Sequence, residues 1–293
     1  MTRRADRIRF LLLFLGPAVL LYSGFVLLPA ANALWMSLTR WDGLGKAEFV
    51  GLENFRAMTR SGSDFGGAIA HNVQLTVVPG AIILCLALFF AWIIQQRVRG
   101  ARAYRVAFFF PNVVSSVAIA LLWVLIYSPT KVGLLNNLRA AFGATEPIAF
   151  TESGRLLTSL VPMMVWAATG FYMVLFLAAM ENIPEDYYEA ARLDGASAGT
   201  QFHRITLPLM WDVLTTGIIF LIVGGLKFFD AIWVMENGRP GPSTHTLATL
   251  MYAKVFEEYN VGYGSAIAVL LFGLVLLATL VSMRLLRRER LEH

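Results

Sequence analysis

Six long apolar runs divide this chain, and polar segments with charged residues separate them. A helix that crosses a hydrocarbon core of about 30 Å needs about 20 mostly apolar residues. Six windows are long enough, and they cover Phe10–Leu34, Val73–Ile94, Val106–Tyr127, Leu157–Met180, Val213–Val234 and Tyr263–Leu285. The runs lack the apolar/polar alternation of barrel strands. The pattern therefore predicts an all-α membrane protein with six transmembrane helices.

Composition agrees with a membrane protein. Hydrophobic residues make up 57% of the chain and charged residues only 15%, whereas a soluble domain is roughly 45–50% apolar and about 25% charged. The first apolar run follows a basic segment, but it is longer than the roughly 7–15 residues of a signal-peptide core. We therefore expect it to remain as a span rather than be cleaved.

Lysine and arginine predict the orientation. Fourteen of the 24 lysines and arginines fall in short segments on one predicted side, which are 1–9, 97–105, 181–210 and 284–290. Nine lie in the longer loops of the other side. Because short loops rich in arginine stay cytoplasmic, we expect both termini inside the cell. These basic flanks and anionic lipid account for the net charge of +5, so a nucleic-acid partner is not expected.

The same pattern predicts three regions and no internal repeat. Residues 1–72 form a tail, a first helix and an external loop, residues 73–285 form the main transmembrane domain, and residues 286–293 form a second tail. Within the main domain, the segment from 181 to 210 is polar and unusually long for a turn between two spans. We call it the 181–210 loop.

Local signals predict two short helices in the 181–210 loop. Asn182 stands where it can cap the first helix, and Gly195 can adopt the left-handed conformation that ends one. Asp194 is expected to hold the turn through contacts with its own backbone. Ser197 can cap a second helix that runs through Arg204 and stops at Pro208.

Three anchors in the 181–210 loop carry a resemblance to a known family. The runs Glu189-Ala-Ala, Asp194-Gly-Ala and Ile205-x-Leu-Pro208 resemble the EAA motif of permease subunits in binding-protein-dependent ABC importers. Further runs are similar to the branch of six-span permeases for sugars and glycerol-3-phosphate; they are Phe49–Phe55, Phe229–Trp233, Thr246–Tyr252 and Gly262–Ile267. Where that family often has a proline, this chain has Asp212.

The resemblance implies a type I ABC importer permease fold and a transport subunit that is not an enzyme. It implies that the loop docks into a cleft of an ATP-hydrolysing subunit, and the matching positions are Glu189, Ala190, Ala191, Asp194, Gly195, Ile205 and Pro208. ATP and Mg would be bound by that partner, and this chain would bind no cofactor. The alternative is an amphipathic loop that rests on lipid headgroups, although its five carboxylates against one arginine between 180 and 194 do not favour that.

The resemblance also implies partners and a place. The expected assembly contains a second, related permease in a heterodimer, a dimer of ATP-binding subunits and an extracytoplasmic solute-binding protein. It sits in the inner (cytoplasmic) membrane of a prokaryote. The expected solute is a sugar or related carbohydrate; the alternative is glycerol-3-phosphate or another polyol-like solute.

Polar side chains inside the spans are candidates for a substrate pathway, because such groups are costly in lipid. In the third span, Asn112, Ser116 and Trp123 are predicted to share a helix face, with Ser115 beside it. In the fourth span, Trp166, Thr169, Gly170 and Met173 form a stripe. Either set could serve helix packing instead.

Lys227 and Asp230 lie three residues apart near the end of the fifth span. They could form a mutual ion pair, or the lysine could extend its amine to the interface. The functional alternative is that they face the translocation cavity.

Other function classes find less support. The chain has no Gly-x-x-x-x-Gly-Lys-[Ser/Thr] phosphate loop and no His-Glu-x-x-His motif, and its four histidines are scattered. A membrane-embedded enzyme would need a nucleophile or metal constellation, which we do not find. A stand-alone secondary transporter would usually show internal repeats and more spans.

Overall fold

The computed structural model describes residues 2–96 and 98–285. The predicted tail at 286–293 lies outside the described residues, as do Met1 and Arg97. The chain divides into two compact units. One comprises Met1–Ser63 with Leu250–Phe272, and the other comprises Asp64–Thr249 with Gly273–His293.

The described residues contain five continuous segments that are long and apolar enough to span a membrane. These are Leu13–Met36, Phe65–Gln95, Ser153–Glu181, Trp211–Met235 and Val261–Leu285. A sixth candidate is the helix pair Ala101–Val113 and Ser116–Tyr127, which is bent by 97°. If this pair is counted as one span, the described residues contain all six predicted spans. This is a multi-pass helical membrane protein.

The first unit begins with a long helix and a small β-ribbon. In chain order its elements are α1 (Thr2–Tyr22), a π-helical turn (Ser23–Leu27), α2 (Leu28–Met36), β1 (Thr39–Arg40), β2 (Glu48–Phe49) and α3 (Glu53–Met58). The strands pair antiparallel, with Thr39 opposite Phe49. The large side chains of the spanning part are exposed, for example Leu13 and Phe25, as lipid contact requires.

Asn54 ties the ribbon to the end of α2. Its amide donates hydrogen bonds to the carbonyls of Ser37 at 2.9 Å and Thr39 at 2.8 Å. Thr39 is buried, and a side chain at Gly262 would collide with its carbonyl. Two of the segments that carry the family resemblance, 49–55 and 262–267, thus meet at the carbonyl of Thr39, and most residues of 262–267 are buried.

The second unit is a bundle of helices. Its elements are α4 (Phe65–Gln95), α5 (Ala101–Val113), α6 (Ser116–Tyr127), α7 (Leu134–Ala141), α8 (Ser153–Glu181), α9 (Glu185–Leu193), α10 (Ala198–Gln201), a π-helical turn (Phe202–Thr206), α11 (Leu207–Leu209), α12 (Trp211–Leu226) and α13 (Asp230–Met235). Two helices cross the boundary between the units in sequence, α14 (Leu247–Tyr252) and α15 (Val261–Leu285).

The centre of the bundle is the contact between α4 and α8. Ala87 and Ala91 of α4 are fully buried in one apolar cluster with Phe176 and Met180 of α8. Small side chains let two helix backbones approach closely, which is the usual basis of helix packing in lipid. Met210, before α12, is buried in the same cluster.

The third span is not a straight helix, so the predicted shared face of Asn112, Ser116 and Trp123 is wrong. Val114 and Ser115 both have extended backbone, with ψ of 141° and 138°. Pro111 lies one turn before this break and lacks the N–H that would continue the ladder. Asn112 therefore lies in the last turn of one helix, whereas Ser116 begins another.

The fifth span is also interrupted. Helix α12 ends at Leu226 and α13 begins at Asp230, so Lys227 and Asp230 do not occupy one continuous helix as predicted. Among the ion pairs of the described residues, none joins these two side chains, so the mutual ion pair, which was one of the alternatives, does not form.

Candidate functional site

The predicted turn in the 181–210 loop forms at Gly195. Its φ is +74°, the left-handed region in which glycine has no steric penalty. The N–H of Ala196 donates to the carbonyl of Ala191 at 2.9 Å, and the N–H of Gly195 donates to the carbonyl of Arg192 at 3.0 Å. These two bonds make a Schellman motif, which ends α9 and reverses the chain.

Ser197 then starts the second helix as predicted. Its hydroxyl accepts a hydrogen bond from the N–H of Thr200 at 3.3 Å, which satisfies one of the free donors at the start of α10. The loop is therefore two short helical segments joined by a glycine turn.

Three details of the prediction are wrong. Asn182 does not cap α9, because it is the residue that caps the end of α8; Pro184 occupies the cap position of α9 instead. Among the described residues, no hydrogen bond from the Asp194 side chain closes the turn; the backbone bonds at Gly195 do so. The second helical segment continues past Arg204 as a π-helical turn and includes Pro208 within α11.

The second segment of the loop is anchored in the bundle. Phe202 packs edge-on against Trp92 of α4, with ring centroids 6.0 Å apart. Phe202 and Leu207 both lie against the central apolar cluster. The hydroxyl of Tyr188 lies 2.9 Å from that of the buried Thr206. The loop is thus fixed to the bundle at one end and along one face of α9.

The other face of α9 projects from the bundle. Leu193 is 90% exposed, and the side chain of Glu189 is 65% exposed. Arg192 pairs with Glu185 at 2.9 Å, whereas its nitrogen is 4.0 Å from Glu189. The carboxylate of Glu189 therefore has only a long ion pair and is open to solvent, where a partner can reach it.

The remaining predicted loop residues divide between these two regions. Ala190, Asp194 and Gly195 are exposed with Glu189, whereas Ala191, Ile205 and Pro208 are half-buried at the base.

An ion pair connects the base of the loop to α5. The guanidinium of Arg105 donates to the carboxylate of Glu181, the last residue of α8. Sequence reasoning counted Arg105 only as part of a basic flank. Its pairing depends on the antiparallel packing of α5 against α8, which the sequence pattern alone does not specify.

A cavity of about 350 Å³ opens between α4, α6, α8, α12 and α13. Its walls carry four aromatic rings, from Tyr172, Phe220, Phe228 and Phe229. Both interrupted spans reach it, because Ser116 begins α6 and the segment 227–230 joins α12 to α13. Non-helical backbone inside a membrane protein is tolerated where it lines such a cavity.

The cavity collects three of the predicted pathway residues. Ser116, Lys227 and Asp230 line it, whereas Asn112, Ser115, Trp166 and Thr169 do not. Ser116 donates a hydrogen bond to the Asp230 carboxylate, which links the first turns of the two restarted helices.

The other polar and small residues of the fourth span lie in packing contacts. Thr169 is buried and donates to the carbonyl of Val165 at 2.6 Å. Met173 belongs to the central cluster, and Trp166 lies beside Trp123 with ring centroids 6.2 Å apart.

The predictions did not include the aromatic residues Tyr172 and Phe220. Their contribution depends on how α8 and α12 are rotated, and no local pattern distinguishes them from other aromatic residues of the spans. Within residues 2–96 and 98–285, no group of three or more His, Cys, Asp or Glu side chains could hold a metal ion.

Relatives align over nearly the whole chain. It is 32% identical to a probable ABC transporter permease protein of Pyrococcus horikoshii, over 95% of this chain and 96% of the relative. It is 33% identical to the diacetylchitobiose uptake system permease protein NgcF of Streptomyces coelicolor, over 92% and 80%. It is 32% identical to the sn-glycerol-3-phosphate transport system permease protein UgpA of Salmonella typhi, over 93% and 92%.

The fold matches that of a solved importer. A chain of a bacterial ABC transporter involved in the import of the acidic polysaccharide alginate superposes with a TM-score of 0.80 at 20% identity. The alignment covers 97% of this chain and 99% of that one. Residues 83–291 match the family described as binding-protein-dependent transport system inner membrane component. With its anchored, projecting loop and its membrane cavity, the chain belongs to this family and is the permease component of an ABC importer.

Proposed function

We propose that this subunit carries a sugar or related carbohydrate across the cytoplasmic membrane by alternating access, driven by ATP bound and hydrolysed on separate subunits. The observation that carries the proposal is the 181–210 loop, which is fixed to the bundle at its base and exposed on α9. A relative that takes up diacetylchitobiose and an alginate importer of the same fold support a carbohydrate solute.

The loop can transmit a displacement because its base is packed against the bundle. A force on α9 passes through the Tyr188–Thr206 contact and the Phe202–Trp92 packing into α4 and the start of α12. Packed helices move as discrete bodies rather than deform continuously. Both α4 and α12 line the cavity, so movement of the loop would change access to it.

The proposed assembly contains a second, related permease, a pair of ATP-binding subunits and an extracytoplasmic solute-binding protein. It is supported by the family assignment and by the solved alginate transporter, whose structure includes a periplasmic protein bound to an alginate pentasaccharide. In this arrangement α9 faces the cytoplasm, with both termini on the same side.

The orientation can be tested with single thiols. The chain has one cysteine, Cys85, so Cys85→Ala provides a background without thiols. Leu193 and Leu44 are 90% and 91% exposed. In intact cells a membrane-impermeant maleimide should modify Leu44→Cys and should reach Leu193→Cys only after permeabilisation. Modification of Leu193→Cys in intact cells would refute this orientation.

Coupling is tested by removing the exposed carboxylate of α9. Loss of one member of a charged contact at an interface costs about 2–5 kcal/mol, so Glu189→Ala should lower solute-stimulated ATP hydrolysis and uptake at least about tenfold. Glu146→Ala, an exposed carboxylate outside the loop, is the matched control. Unchanged uptake and hydrolysis in Glu189→Ala would contradict docking through this surface. Uptake by proteoliposomes that contain no ATPase would instead indicate a stand-alone secondary transporter.

A second candidate for the transported solute is glycerol-3-phosphate or another phosphate-bearing polyol, and the position of Lys227 supports it. It lines the cavity and is in none of the ion pairs of the described residues, so an anionic solute could meet its amine. The UgpA relative transports sn-glycerol-3-phosphate by name. With that solute, Lys227→Met should raise the KM of glycerol-3-phosphate uptake, whereas the KM of a neutral disaccharide should change little.

A further inference from the structure

The interruption of the fifth span leaves backbone carbonyls without helical partners. Helix α12 ends at Leu226, and residues 227–229 are not helical. Carbonyls near the end of a helix must find donors elsewhere, because the bilayer core offers no water. One donor is backbone, because the N–H of Phe228 donates to the carbonyl of Gly225 at 3.3 Å. The others come from two buried side chains, Asn72 of α4 and Thr246, which precedes α14.

Asn72 binds the end of α12 and the start of α14. It is fully buried in the third turn of α4. Its amide nitrogen donates to the carbonyls of Gly225 at 2.8 Å and Leu226 at 3.1 Å. Its amide oxygen accepts from the N–H of Leu247 at 2.8 Å, the first residue of α14. One side chain thus joins α4, the end of α12 and the start of α14.

Thr246 supplies the second attachment. It is fully buried, and its hydroxyl donates to the carbonyl of Phe228 at 2.8 Å. It also forms a reciprocal cap with Thr249, in which the N–H of Thr246 donates to the Thr249 hydroxyl at 2.8 Å and the N–H of Thr249 to the Thr246 hydroxyl at 3.4 Å. Because both ends of this pair are hydrogen-bonded, the start of α14 is a firm support for the carbonyl of Phe228.

Close packing holds the break against α4. A Cβ at Gly225 would overlap the hydroxyl of Thr76 and lie 2.8 Å from its Cβ. The Thr76 hydroxyl donates its only proton to the carbonyl of Asn72 at 2.7 Å, so it does not donate to the carbonyls of the break. The backbone at Gly225 therefore lies against α4 next to Asn72.

We propose that Asn72 and Thr246 form a clamp that sets the course of residues 227–230 and so positions Lys227 and Asp230 at the cavity wall. Neither Asn72 nor Thr246 lines the cavity. The clamp therefore acts on the cavity through the backbone of residues 227–229. Asn72 and Thr246 are therefore positioning residues for solute binding. This inference rests on the proposed function only in taking the cavity as the solute path.

Thiol labelling measures the position of the break directly. In the Cys85→Ala background, the assembled transporter with Lys227→Cys is treated with a small, water-soluble methanethiosulfonate reagent. Thr246→Val removes the donor to Phe228, whereas Thr246→Ser retains it. Loss of a buried hydrogen bond shifts the equilibrium between the held and released positions of the break by roughly five- to tenfold. Thr246→Val should therefore change the labelling rate of Lys227→Cys by about the same factor. Thr246→Ser should restore the rate, and Thr216→Val, on the exposed face of α12, should leave it unchanged.

Transport provides the second measurement, with Lys227 intact. Both Asn72→Leu and Thr246→Val should raise the KM for the solute by about tenfold with a smaller change in kcat, because the cavity wall is misplaced while the loop remains docked. If Asn72→Leu does not accumulate in the membrane, the clamp is tested by comparing the KM of Thr246→Val with that of Thr246→Ser.

The outcomes separate the two proposals. Equal labelling rates at position 227 in Thr246→Val, Thr246→Ser and the parent protein would overturn the clamp and leave ATP-driven transport untouched. A parent assembly that moves no sugar or polyol would refute the proposed function, while the labelling rates would still report on the clamp.

Discussion

Gly170 offers the sharpest test of how the bundle packs. It lies in α8 where that helix meets α5, and it is buried. A Cβ at this position would overlap the carbonyl of Phe108 and lie 2.8 Å from the backbone nitrogen of Phe109. Non-bonded heavy atoms prefer separations of about 3.5–4.0 Å, so Gly170→Ala would require α5 to retreat by about 1 Å or more. The obstructing atoms are backbone, and no side-chain rotation can relieve the overlap.

The change in stability caused by Gly170→Ala is the sum of two opposing contributions. Overpacking of a tight contact costs about 1–3 kcal/mol, and a backbone obstacle favours the upper value. Alanine is better than glycine in a helix by about 1 kcal/mol, which leaves a net loss of about 2 kcal/mol. For a chain of 293 residues the apparent Tm should fall by roughly 3–5 °C.

Tryptophan fluorescence during a thermal ramp of the purified protein in detergent can measure this change. Gly154→Ala is the control, because it lies in the same helix with no heavy atom within 4 Å of the added Cβ. Gly154→Ala should leave the Tm unchanged or raise it slightly. A Tm of Gly170→Ala within 1 °C of the parent protein would refute the close approach of α5 and α8 (about 0.3–0.5 kcal/mol of resolution).

Three further predictions concern the 181–210 loop. Gly195→Ala forces a Cβ into the left-handed region at φ +74°, at a cost of about 1 kcal/mol, and should lower solute-stimulated ATP hydrolysis relative to basal hydrolysis. Arg105→Glu should reduce uptake by breaking the ion pair with Glu181, and the added change Glu181→Arg should restore it if the pair itself matters. Ser197→Ala should destabilise the start of α10 by about 1 kcal/mol, measured as faster amide hydrogen exchange there, whereas Ser197→Asp should retain the cap.

Local sequence signals were sufficient for the turn in the loop. A glycine after a short amphipathic helix and a serine two residues later specify a Schellman motif and a cap, and both form. These interactions join residues at most five positions apart. The length and apolarity of the spans likewise depend only on local composition, so their number could be counted from the sequence.

The two interruptions were not predictable in the same way. Val114–Ser115 and Lys227–Phe229 lie within runs that are apolar enough for continuous helices. The stability of the second break depends on donors that are 153 and 18 residues away from the carbonyls they satisfy, in Asn72 and Thr246. Asn72 stands just before the predicted second span, at the end of the segment expected to be an external loop, and no local pattern reveals its partners.

Apolar length, the spacing of the motif and short-range capping all operate within a few turns of chain, so a multi-pass helical protein, its family and the two-part loop could be inferred from the order of residues. Which polar residues share a cavity depends on how the helices pack. Ser116 and Asp230 meet only because two interrupted spans restart side by side, and Thr169 is enclosed only because α8 turns that face into the bundle. Such choices depend on helix rotation and long-range hydrogen bonds, which a linear pattern does not contain.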